Sequence, residues 1–281
     1  SLTQGTSADN YEFREDLGDL TVRAIETPVV VTIRGKHAEA TYDATEKSVT
    51  GYTATADNTN YPLNDSSIKF IGDATIKGTD ADTYKGTLDA AQFENINKNF
   101  KDVTFKVVDP GELVIKPVEI TLTSADAEKV YDGTALTNSI VTVRGDGFVT
   151  NEAPSYDVTG TITNVGEVKN IFTYEFANGV NAGNYEITTV YGKLKVTPVT
   201  ETVTVTIKEN SGTEKYDGTE KTVTGYTVES ITNPLYTVND FTFSGSAEVK
   251  GTNAGTYGMN LSPSDFTNTN TSNFPNVTFV V

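Results

Sequence analysis

Tyr42-Asp43-Ala44-Thr45-Glu46-Lys47-Ser48-Val49-Thr50-Gly51-Tyr52-Thr53 recurs as Tyr216-Asp217-Gly218-Thr219-Glu220-Lys221-Thr222-Val223-Thr224-Gly225-Tyr226-Thr227, with ten of twelve positions identical. The same offset of 174 residues carries Asn10-Tyr11-Glu12-Phe13, with Gly18, Leu20 and Val22 behind it, onto Asn184-Tyr185-Glu186-Ile187 with Gly192, Leu194 and Val196. A third motif, Tyr131-Asp132-Gly133-Thr134, lies between the other two. The offset is therefore a double period, in which two kinds of repeat alternate.

The joints between repeats fall near Ala24, Pro117 and Pro198. They divide the chain into the terminal strands of a B-type repeat (1–23), an A-type repeat (24–116), a B-type repeat (117–197) and a second A-type repeat (198–281). Phe279-Val280-Val281 aligns with Phe105-Lys106-Val107, so the second A repeat lacks a counterpart to Asp109-Pro110-Gly111-Glu112-Leu113-Val114-Ile115. The expectation is a window from a longer array, with an unpaired edge near Val277–Val281 and an orphan last strand at Gly18–Val22. Such ends are expected to be disordered, covered, or paired edge to edge with a neighbouring molecule, the chain being otherwise monomeric.

The local pattern is that of strands. Val29, Val31 and Ile33 alternate with Val30, Thr32 and Arg34, and the same period of two recurs in Val118, Ile120, Leu122 and in Val203, Val205, Ile207. No amphipathic helix is expected, only brief turns at Leu88–Glu94 and at Leu261–Phe266, the latter holding Pro263. Short strands separated by Asn, Asp, Gly and Ser clusters, in repeats of this size, predict an all-β chain of immunoglobulin-like antiparallel β-sandwiches. Across Pro117 the apolar positions change parity, from Leu113 and Ile115 to Val118, Ile120 and Leu122, and Pro198 repeats the switch. The last strand of one repeat thus runs into the first of the next with its inward face exchanged. With no Gly/Ser slack, the array is expected to be a semi-rigid rod.

Composition excludes several classes of function. With no cysteine there is no disulfide, thiolate metal site or thiol nucleophile. A net charge of −17 with no basic block offers nothing to a phosphate backbone, so no nucleic-acid partner is expected. No apolar run is long enough to insert in a membrane. His37 is the only histidine and aligns with Ser211. It is expected to be a solvated loop residue, with no multi-histidine metal site and no triad around it.

The Tyr-Asp-Gly-Thr motif, the later Gly251-Thr252-Asn253-Ala254-Gly255-Thr256-Tyr257 or Asn181-Ala182-Gly183-Asn184-Tyr185, and the closing Gly192-Lys193-Leu194-Lys195-Val196 together resemble the MBG-type immunoglobulin-like repeats of bacterial surface proteins. The resemblance covers nearly the whole chain. It departs from the pattern at Ala44, in place of glycine, and at Asp82, in place of the second glycine of Gly78-Thr79-Asp80-Ala81-Asp82-Thr83-Tyr84. It implies an extracellular stalk in a large secreted or wall-anchored protein, often an adhesin, with the anchor outside this sequence and no catalytic residues.

The candidate site residues are architectural: Tyr42 and Asp43; Tyr131, Asp132 and Gly133; Tyr216, Asp217 and Gly218. The aspartate is expected to accept a backbone N–H in a tight turn and the glycine to take positive φ, though Ala44 suggests that the position does not demand it. The tyrosine rings are expected to plug the end of each sandwich with the hydroxyl bonded to backbone, as in a tyrosine corner. No cofactor is implied. Ca²⁺ between repeats is a minor candidate, on Asp80 and Asp82, Asp43 with Glu46, or Asp57-Asn58 near Asn64-Asp65. Adhesin repeats that bind a host glycan or matrix protein are the alternative to a stalk, with Tyr61 and Tyr236 as the loop aromatics to test. A Lys–Asn isopeptide bond is not expected, because lysines such as Lys106, Lys193 and Lys195 alternate outward.

Overall fold

The computed structural model describes residues 18–281. Two compact units divide the chain, one ending at Pro117 and the other spanning Val118–Val281. The described residues are all-β, in several small sheets consistent with immunoglobulin-like β-sandwiches.

The described part of the first unit holds β1 (Val29–Gly35), β2 (His37–Thr41), β3 (Lys47–Thr50), β4 (Tyr52–Ala56), β5 (Ile68–Phe70), β6 (Thr75–Gly78), β7 (Asp82–Lys85), β8 (Phe93–Asn95), β9 (Val103–Asp109) and β10 (Glu112–Lys116). β1 lies between β4, antiparallel, and β9, parallel. Its alternate residues Val29, Val31 and Ile33 are wholly buried, each such burial stabilising by about 1.5–3 kcal/mol. They pack with Tyr61, Ile68, Leu88, Phe93 and Phe100. In the second sheet β10 lies between β2, parallel, and β7, antiparallel, and buries Leu113 and Ile115. The chain passes from one sheet to the other at Lys36 and at Pro110-Gly111. A Cβ on Gly35 would lie 2.4 Å from the Pro110 carbonyl oxygen, and Gly111 has φ +92°, so this crossing admits glycine alone.

The second unit begins with β11 (Val118–Ser124), β12 (Ala127–Val130), β13 (Val141–Gly145), β14 (Ser155–Val158), β15 (Gly166–Lys169), β16 (Phe172–Glu175), β17 (Tyr185–Val190) and β18 (Lys193–Thr197). The pairing repeats: β11 sits between β13, antiparallel, and β17, parallel, while β18 sits between β12, parallel, and β15, antiparallel. The unit continues with β19 (Val203–Glu209), β20 (Lys221–Thr224), β21 (Tyr226–Ile231), β22 (Phe241–Phe243), β23 (Glu248–Gly251), β24 (Phe266–Asn268) and β25 (Val277–Val280). β19 again pairs antiparallel with β21 and parallel with β25. In its core Val203, Val205, Ile207, Tyr236, Phe266 and Phe274 stand as Val29, Val31, Ile33, Tyr61, Phe93 and Phe100 do in the first unit.

The face switch at the prolines is present. Leu113 and Ile115 are buried before Pro117 and Val118, Ile120 and Leu122 after it; Leu194 and Val196 precede Pro198, and Val203, Val205 and Ile207 follow. The brief turns are single 3₁₀ turns, Ala90–Gln92 capped by Asp89 and Pro263–Asp265 capped by Ser262. Strand direction differs from expectation. The two-stranded sheets are antiparallel, but each three-stranded sheet adds one parallel pair, because an alternation of period two is common to both kinds of pair and says nothing of direction. Val277–Val280 is paired on one side with β19, whereas 18–24 form no strand and Leu20 and Val22 are exposed. The predicted strands that precede Gly18 lie outside the described residues.

Candidate functional site: the Tyr-Asp turns

The three Tyr-Asp motifs build one turn three times. Asp43 accepts from the Thr45 backbone N–H (2.9 Å) and hydroxyl (2.5 Å) and from Lys47 Nζ (2.5 Å). Asp132 accepts from the Thr134 N–H (2.9 Å) and hydroxyl (2.7 Å) and from Lys129 Nζ (2.6 Å). Asp217 accepts from the Thr219 N–H (2.9 Å) and hydroxyl (2.6 Å) and from Lys221 Nζ (2.6 Å). The lysine contact, followed by the threonine bonds, holds the carboxyls of Asp43 and Asp132 at about 2 instead of 3.8. Lys221 and Thr219 lower that of Asp217 in the same way. A carboxylate committed to three donors is a turn clasp and a poor general base.

The residue after the aspartate is left-handed in all three turns, with φ of 63° at Ala44, 77° at Gly133 and 78° at Gly218. The expectation drawn from Ala44 is thus overturned. Ala44 does adopt positive φ, and the turn imposes this conformation whatever residue stands there.

The tyrosines diverge. Tyr42 is buried and its N–H donates to the Lys116 carbonyl (2.9 Å). Tyr131 is half-buried, donates its N–H to Thr197 (2.8 Å) and sets its ring edge-on to Phe274, 5.5 Å between centroids. Tyr216 is 69% exposed, so the plug expected there is missing. Hydroxyl-to-backbone bonds of the tyrosine-corner kind are made by Tyr84, to the Asp80 carbonyl, and by Tyr257, to the Asn253 carbonyl, each 3.1 Å. Their rings lie on glycines: a Cβ at Gly78 would fall 2.2 Å from the Tyr84 ring, and one at Gly251 2.3 Å from that of Tyr257. The signal was the identical spacing of Gly78 to Tyr84 and Gly251 to Tyr257. Asn181–Tyr185, grouped with these by sequence, belongs to a different place. Tyr185 opens β17 opposite Val118.

Tyr61 and Tyr236 are core residues. Tyr61 donates its hydroxyl to the Ser67 carbonyl and Asn95 Oδ1, and Tyr236 to the Asp240 carbonyl and Asn268 Oδ1, so neither offers a face to a glycan. His37 is on strand β2, not in a loop, with Nε2 2.8 Å from Asp109 Oδ2. The Gly111 N–H, then His37, lowers the Asp109 carboxyl below its usual range.

Among the described residues no group of three or more His, Asp or Glu side chains is placed to hold a metal. The acidic candidates have other partners: Glu46 pairs with Lys77 (2.8 Å), and Asp57 accepts from the Val30 N–H (2.9 Å). Lys193 and Lys195 face solvent beside Glu167 and Glu128.

Residues 201–281 match the family model described as the MBG domain, in agreement with MBG-type repeats. That family is a non-catalytic repeat, and the match marks this stretch as a repeat of the bacterial surface-protein kind, typical of extracellular proteins. No curated protein and no solved structure matches the chain. Among the described residues no helix is long and apolar enough to cross a membrane.

Proposed function

We propose that this chain is a spacer, a row of repeats that holds another part of a bacterial surface protein away from the cell. The observation that carries this reading is the joint inside the second unit. Pro198-Val199-Thr200-Glu201-Thr202 joins β18 to β19, Val199 within it is buried, and side chains close over the joint. Tyr131 packs on Phe274, Asn273 Oδ1 accepts from the Val165 N–H (2.9 Å), Asn273 Nδ2 approaches Asn164 Oδ1 (3.3 Å), and the Val199 N–H donates to the Asn273 carbonyl (3.0 Å). A joint that buries Asn273 and Phe274 and packs the half-buried Tyr131 on the latter resists bending, as a spacer requires and a flexible linker does not. Glycan or matrix-protein binding is not carried further, since Tyr61 and Tyr236 are buried. Small-angle scattering tests the proposal: a spacer gives a radius of gyration near 30 Å from the rise of its strands, and a value near 19 Å, that of a globule of this length, would overturn it.

A further inference from the structure

The strand lying antiparallel to the first strand of each repeat ends differently in the B repeat. Val31, Ile120 and Val205 hold the same place in their repeats, and the residues opposite them are Ala56, Gly145 and Ile231. In both A repeats the next residue clasps the sheet. Asp57 donates its N–H to the Val30 carbonyl (3.2 Å) and accepts from the Val30 N–H (2.9 Å). Thr232 donates its N–H to the Thr204 carbonyl (3.1 Å), and its hydroxyl accepts from the Thr204 N–H (2.9 Å). Asp146, in the same place, makes neither bond. Gly145 has φ +102°, and a Cβ there would lie 2.3 Å from the Glu119 carbonyl oxygen, so glycine alone fits and the chain leaves the sheet one residue earlier.

The residues at this break are Arg144-Gly145-Asp146, against Thr55-Ala56-Asp57 and Ser230-Ile231-Thr232 in the A repeats. All three are exposed, β13 is the edge strand of its sheet, and neither charged side chain has an ion-pair or hydrogen-bond partner among the described residues. The turn is held on both sides. Arg144 and Gly145 pair with Thr121 and Ile120. Beyond Gly147 the Phe148 ring lies 5.0 Å from that of Tyr185, whose hydroxyl accepts from the Val149 N–H (3.2 Å). A guanidinium and a carboxylate two residues apart thus stand unpaired on a fixed turn, where a partner spends little on ordering them. We propose that Arg144-Gly145-Asp146 is a ligand for an animal-cell receptor of the integrin class, one that takes the aspartate carboxylate on a divalent cation and the arginine guanidinium in an acidic pocket. This contact adds to the spacing role and does not depend on it.

The test is surface plasmon resonance of the full chain over a purified ectodomain of an Arg-Gly-Asp-binding integrin in Mg²⁺ and Mn²⁺. Saturable binding is expected, lost in EDTA and competed by a soluble Arg-Gly-Asp-Ser peptide. Asp146→Glu, which keeps the charge and moves the carboxylate by one methylene, and Arg144→Gln are each expected to weaken binding by about tenfold or more. Their melting temperatures are expected to match that of the unsubstituted chain, since neither side chain has a contact to lose. No saturable binding, binding that survives EDTA, or binding indifferent to Asp146→Glu overturns the proposal.

Discussion

Ala44 and the aspartates beside the three tyrosines show what the turn demands of single residues. Gly218 has nothing within 4 Å of where a Cβ would stand, so the cost of alanine at this position lies in the backbone and not in a clash. Left-handed φ costs an alanine about 1–2 kcal/mol, partly offset because glycine gives the unfolded chain more freedom. Ala44→Gly is thus expected to raise unfolding free energy by about 0.5–1 kcal/mol, and Gly218→Ala to lower it by a similar amount in the other copy, both read from urea denaturation. A loss on Ala44→Gly would refute the strain. The aspartates set a pH dependence. Because the folded pKa of Asp43 is depressed, to about 2 from 3.8, its contribution is complete above about 4 and is lost as pH falls from there through about 2. The carboxyl carbon of Asp43 is expected to titrate near 2 by NMR, and Lys47→Gln to raise the midpoint while the Thr45 bonds keep it below 3.8. A midpoint already at 3.8 in the unsubstituted chain would show that the clasp does not form.

At the scale of strands and turns, the sequence specified what depends on local alternation and on copy number. Val29, Val31 and Ile33 announced both their own burial and that of Val203, Val205 and Ile207, because period-two patterning under a repeat offset yields the same inward face twice. The exchange of face at Pro117 and Pro198 was equally visible. Strand direction was not, since β9 meets β1 in parallel only after the chain has made an excursion that no short window contains. The hydroxyl-to-backbone bonds of Tyr84 and Tyr257 were less visible for a related reason: each ring folds back four residues over a glycine surface, at Gly78 and Gly251. Tyr61 and Tyr236 stand beside Pro62 and Pro234 in polar surroundings that suggest a loop. They are buried because Asn95 and Asn268 accept from their hydroxyls and in turn donate to the carbonyls of Phe100 and Phe274. A partner more than thirty residues away satisfies the polar end of the ring, and local polarity carries no sign of it.

For the whole molecule, the proposed spacer role turns on coupling across a joint, and the second unit contains one that can be measured. Tyr131 belongs to the repeat that ends at Thr197, whereas Phe274 lies in the core of the repeat that follows. Their edge-on rings therefore transmit stability between two otherwise separate cores. An aromatic pair of this geometry is worth about 0.5–1.5 kcal/mol beyond its burial, and a double-mutant cycle isolates that amount from the loss of apolar area. Tyr131→Ala and Phe274→Ala are each expected to destabilise, the first less, because Tyr131 is half-buried and Phe274 wholly so. The pair should then cost less than the sum of the two by about the coupling energy. Calorimetry supplies the second readout: Val118–Val281 is expected to melt as one transition, and to separate into two when Tyr131→Ala is combined with Asn273→Ala, which removes the bond to the Val165 N–H. Additive free energies together with two transitions in the unsubstituted chain would mean that the repeats fold independently, and the spacer would then bend at Pro198.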